Sequence, residues 1–156
     1  MNPYEALQLA QQELKRADHS IAVSLKYTRT VDVIKSIIER LINTIAFGID
    51  ALLAQAKMQK KIPELPTLPR VKIETVSRVF AEDKTVKDFV QFYLLLRRID
   101  KAKFTRAQEY RRHVTMTAQL DDDTNIEITI DIITDYFDRT KEFLIYVHKV
   151  LGGTNE

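Results

Sequence analysis

Ile34, Ile38, Leu41, Ile45, Ile49, Leu52 and Ala56 recur every three or four positions, the spacing of one face of an α-helix. A strand would scatter these residues over both of its faces, so the pattern demands a long helix covered by neighbours. The stretch from Leu41 to Ala56 is interrupted by Asn43, Thr44, Gly48 and Asp50 and falls short of the roughly 20 residues that span a bilayer. It is expected to lie buried in protein, with no membrane association.

Other segments supply partners for that helix. Asn2-Pro3-Tyr4-Glu5 reads as a helix start, with Asn2 as cap, Pro3 at the first helical position and Glu5 returning a capping-box contact. The stripe Leu7, Ala10, Leu14, Ala17, Ile21 carries this first helix to about Leu25. Lys26 to Thr30 then offers Thr28 and Thr30 as caps of the long helix, so the two helices are expected to form an antiparallel hairpin or one kinked helix. Pro63, Pro66 and Pro69 deny residues 60–70 helical hydrogen bonds and predict an extended crossover strapped over the bundle.

After the crossover, Val71 to Ala81 predicts a short helix. Asp83 or Thr85 can cap a longer one to about Ala102, through Val86, Phe89, Val90, Tyr93, Leu94 and Leu96. Thr105-Arg106-Ala107-Gln108 has a capping-box pattern, which predicts a short helix from Arg106 to about Arg112. The period then changes. Val114, Met116, Ala118 and Leu120, and Ile126, Ile128 and Ile130, alternate with polar residues around Asp121-Asp122-Asp123-Thr124-Asn125, predicting a β-hairpin over residues 113–130. From Asp131 the stripe Ile133, Phe137, Leu144, Val147, Leu151 is helical again and stops at Gly152-Gly153. The expected fold is mainly α. It is an up-and-down bundle of about four main helices in one domain, residues 1–156, with a small β-hairpin before the last helix.

Composition narrows the chemistry. The chain has no cysteine, which excludes disulfides, thiolate metal sites and cysteine nucleophiles, and so large a chain buries enough surface to need no such staple. His19, His113 and His148 are scattered, and Asp121 to Asp123 lack the alternating ligands, glycine and closing Glu of a calcium loop. With three glycines, two of them near the C-terminus, there is no phosphate loop or dinucleotide fingerprint. No metal or cofactor is expected. The polar start Met1 to Glu5 points to a cytoplasmic protein.

Charge is uneven: residues 1–112 carry +8 and residues 113–156 carry −6. The densest basic segment holds Arg97, Arg98, Lys101, Lys103, Arg106, Arg111 and Arg112 against Asp100 and Glu109, with Phe104, Tyr110 and His113 interleaved. Arginine forks grip phosphates and aromatic rings stack on unpaired bases, so single-stranded RNA is one expected ligand. The alternative is a solvated face whose cations bond to the acidic C-terminal helix. At the junction of the first two helices, Lys26, Tyr27, Arg29 and Asp32 offer either an anion site or plain capping.

Arg106 and His113, with six residues between them, share one side of a helix if that helix continues so far. This arrangement resembles HEPN domains, helical bundles in which an Arg, four to six intervening residues and a His form a site, often for RNA cleavage across a dimer interface. Ala107 stands where a polar residue often follows the Arg, and Thr115 where an aromatic residue often follows the His. The resemblance implies His113 as general acid or base, Arg106 or Arg111 on the phosphate, and Glu109 orienting them. Leu25-Lys26-Tyr27-Thr28-Arg29-Thr30-Val31-Asp32 and Glu109-Tyr110-Arg111-Arg112-His113 also look like strings of an uncharacterised archaeal helical family, which implies no function.

Two functions are therefore expected. One is a non-enzymatic interaction module that forms a homo-oligomer or binds a protein partner. The other is an RNA-binding protein, up to a metal-independent HEPN-like ribonuclease acting through Arg106 and His113.

Overall fold

The computed structural model describes residues 1–153. The chain is mainly helical with a small antiparallel sheet. Helix α1 spans Pro3–His19, and its axis continues through a π turn at Ser20–Ser24 into Leu25–Tyr27. Asn2 caps it, its side-chain oxygen accepting from the Glu5 N–H at 2.8 Å; Glu5 answers to the Asn2 side-chain amide rather than to its backbone. In the π turn the Leu25 N–H reaches back five residues to the Ser20 carbonyl.

Thr28, Arg29 and Thr30 turn the chain into α2, Val31–Met58, and Thr30 rather than Thr28 is the cap, its hydroxyl accepting from the Val33 N–H at 3.3 Å. Helix α2 is the centre of the bundle. α1 and α5 (Ile130–His148) pack along it, and α3 (Pro69–Val79) and α4 (Lys84–Lys101) touch it as well. Ile34, Ile37, Ile38, Leu41, Ile45 and Leu52 are completely buried. Gly48 lets α5 come close: a Cβ there would stand 2.6 Å from Cε2 of the Phe143 ring.

The proline crossover is shorter than its sequence suggests. Pro69 opens α3 at the first turn, where a missing N–H costs nothing, instead of ending the strap. Asp83 caps α4, and its other carboxylate oxygen accepts a hydrogen bond from the Tyr146 hydroxyl of α5.

The largest departure lies after α4. Residues 103–107 form a strand, β1 (Lys103–Ala107), antiparallel to β2 (Thr115–Gln119), which pairs with β3 (Asn125–Ile128). The helix expected from Arg106 to Arg112 does not form, and the hairpin of residues 113–130 becomes part of a three-stranded sheet in the order β1-β2-β3. Phe104 sits opposite Ala118 and Arg106 opposite Met116. Gln108 (φ 57°) and Tyr110 (φ 65°) adopt left-handed backbone, which stops any helix there. Met116, Ala118 and Ile128 bury one face of the sheet in the same core as the helices. With five helices and three strands among the described residues, the fold keeps the expected class and exceeds its count of elements. Among the described residues, no helix is long and apolar enough to cross a membrane.

Candidate nucleic-acid interface

The β1–β2 connection folds back onto the α1–α2 junction. The Tyr110 N–H donates to the Arg29 carbonyl at 2.7 Å. One residue earlier, the Glu109 carboxylate accepts from the N–H of Val31 at 2.9 Å, which satisfies a free donor in the first turn of α2. Arg106, on β1, reaches the same helix end from the side. Its guanidinium lies 2.9 Å from Asp32 and 3.6 Å from Glu109, and 5.3 Å from the centre of the Phe104 ring. The hydrogen bond to Asp32 raises the Arg106 pKa above its ordinary value against the loss of solvation, and the charges of Asp32 and Glu109 add to the rise.

The structure thus brings Arg106 and Glu109 together and engages both in holding the turn to α2. His113 stands at the far end of that turn, exposed, with its carbonyl accepting from the Thr115 hydroxyl at 2.8 Å. It lines a cleft of about 330 Å³ with Arg29, Arg112, Thr129, Ile130 and Asp131. The cleft opens at the N-terminus of α5, where Thr129 is the cap and accepts from the Ile132 N–H. Arg106 is not among its lining residues, and the two do not share a helix side, because that helix is replaced by a strand and a turn.

The basic segment does not act as one face. Arg97 lies over the Tyr93 ring on α4, and Arg98 pairs loosely with Asp121 at 3.9 Å in the β2–β3 turn. The Asp121 carboxyl is held below its usual range, chiefly by the backbone N–H of Asp123 and then by Thr124. Among the described residues, Lys101, Lys103, Arg111 and Arg112 form no ion pair, and no cation of this segment pairs with the acidic helix α5. The expected bonding of the basic segment to the C-terminal helix is therefore replaced by contacts to Asp32, Glu109 and Asp121.

Segments far apart in the chain meet at this end of the fold. Arg29, which follows Lys26 and Tyr27 on the α1–α2 junction, lies beside Arg112 and His113 on the sheet turn, the two segments joined by the Tyr110 to Arg29 backbone bond. Tyr27 and Tyr110 are each 76% exposed, and Lys26 lies 5.7 Å from the centre of the Tyr27 ring. Tyrosine rings left so open cover no core, and the Tyr27 ring has a cation beside it. Among the described residues, no group of three or more His, Asp or Glu side chains converges as a metal site would require. No family model, curated protein or solved structure matches this chain.

Proposed function

We propose that this chain is a non-enzymatic binding module whose ligand is single-stranded RNA, held at the bundle end where the α1–α2 junction meets the β1–β2 turn. The observation that carries this reading is a pair of open tyrosines on two bonded segments, Tyr27 beside Lys26 on the junction and Tyr110 on the turn that bonds to Arg29 and continues into Arg111 and Arg112. Cations track a phosphate backbone and aromatic faces stack on unpaired bases without demanding a sequence. The cleft between Arg29, Arg112 and His113 suits one phosphate of such a strand.

Fluorescence anisotropy of a labelled single-stranded RNA with wild type, Tyr27→Ala and Tyr110→Ala tests it. Stacking contributes about 1–3 kcal/mol per base, so each variant should weaken binding by roughly 5-fold to 150-fold. Duplex RNA, whose bases are already paired and stacked, should bind less tightly. Unchanged affinity in both tyrosine variants would reject the interface. Running the same samples with Arg106→Ala and His113→Ala on a gel tests the ribonuclease alternative: cleavage lost in either variant would establish it.

Self-association is a second reading, favoured by the outer edge of β1. Apart from Phe104 its residues are exposed, and its outer side has no strand partner among the described residues. Sedimentation velocity showing a monomer at every concentration would remove it.

A further inference from the structure

Glu13 occupies a position that the helical pattern reserves for apolar side chains. The buried stripe of α1 runs Ala6, Leu7, Ala10, Glu13, Ala17, and the Glu13 side chain is only 9% exposed. A carboxylate so buried requires compensating charge. It receives two arginines from two helices, Arg16 of α1 at 2.7 Å and Arg40 of α2 at 3.3 Å, both on Oε1 through a single Nη1. The second oxygen, Oε2, is buried and has no hydrogen-bond partner among the described residues. Each guanidinium has five donors, so this pairing leaves most of them free while fixing where both groups stand.

Those two arginines open onto a cleft of about 510 Å³, completed by Gln12, Lys15, His19 and Ser20. No carboxylate lines it. Residues 12, 15, 16, 19 and 20 form one continuous stripe of α1, three and four apart, and the π turn begins at the last of them. Three permanent cations, a histidine and two neutral hydrogen-bonding side chains thus surround an opening with one buried negative charge behind it.

We infer that this cleft between α1 and α2 is a binding site for a phosphate monoester, with Arg16 and Arg40 as the principal donors and Glu13 as the group that positions them. A phosphate dianion matches the excess of positive charge, and its three terminal oxygens match guanidinium forks converging from two sides. The entropy of ordering both arginines is already spent in holding Glu13, which favours binding by pre-organised side chains. The site is separate from the tyrosine end and does not rest on the RNA reading.

The test is an NMR titration of the isotopically labelled full chain with phenyl phosphate, and separately with single-stranded RNA. Phenyl phosphate should shift the amides of Gln12 to Ser20 and the Arg16 and Arg40 side-chain signals. Arg16→Gln should weaken binding at least about tenfold, the worth of one charge-assisted hydrogen bond. Because Arg16 also balances Glu13, the exposed Lys15→Gln and His19→Ala serve as variants that leave the buried cluster untouched, and together they should weaken binding several-fold. Absence of shifts in this segment, equal affinity in the Lys15→Gln/His19→Ala double variant, or shifts produced by RNA alone would each overturn the proposal.

Discussion

The carboxylate of Glu109 accepts a hydrogen bond from the backbone N–H of Val31, 78 residues earlier in the chain. A side chain from the sheet turn thereby supplements Thr30 as a cap of the central helix, and couples the sheet to the bundle at the proposed interface. Glu109→Ala is expected to destabilise the protein by about 1–2 kcal/mol, the usual cost of losing an N-terminal capping group. Arg106→Ala, which frees a half-exposed pair, is expected to cost less. Urea denaturation of both variants checks the order; a larger loss in Arg106→Ala would contradict it.

Gly48 and Phe143 set how closely α5 approaches α2. Alanine at 48 gains helix propensity but drives its methyl into the edge of a rigid, buried ring. A net destabilisation of about 1–3 kcal/mol is expected for Gly48→Ala. Adding Phe143→Leu should recover part of it, giving a favourable coupling in a double-mutant cycle. Strict additivity of the two changes would argue against the contact.

The helical periods and several caps are legible in the sequence because they are local. Asn2, Thr30 and Asp83 sit where capping chemistry requires them, and the alternation from Val114 to Ile128 marks two of the strands. Strand β1 is hidden because Thr105 to Gln108 spells a helix start, while its actual partner, β2, lies beyond a turn that needs left-handed backbone at two non-glycine residues. The site shows the same division. Arg106, Glu109 and His113 stand out as a basic, titratable string, but the bond from Arg106 to Asp32 spans 74 residues and has no local signature. Glu13 does carry a local signal, an acid centred between Ala10 and Ala17 on the inner stripe of α1.

Burial pushes the Tyr136 phenol above its ordinary value of 10.0, more than nearby Arg139 lowers it. Above that pH the unfolded chain releases this proton while the folded chain retains it. The native state then binds more protons, and stability falls as pH rises until the folded phenol ionises. Tyr136→Phe is expected to flatten this alkaline loss. Thermal denaturation of both proteins from neutral pH to above 10 reads it directly, and parallel curves would contradict the assignment.

Asp83 serves two elements at once, capping α4 through one oxygen and receiving the Tyr146 hydroxyl of α5 on the other. Asp83→Ala is expected to cost about 1–2 kcal/mol, and Tyr146→Phe about half of that, because only the first also removes the cap. Equal losses in chemical denaturation would show that the cap contributes nothing.

The most direct test of the proposed interface is the salt dependence of single-stranded RNA affinity for wild type and for Arg111→Ala/Arg112→Ala. Neither arginine is paired within the described protein, so the double variant is expected to keep its stability. Its plot of log affinity against log salt should be shallower by about 0.7 for each phosphate that the protein no longer neutralises. An identical slope and affinity in the two proteins, or no binding by wild type even at low salt, would contradict RNA binding at this end of the bundle.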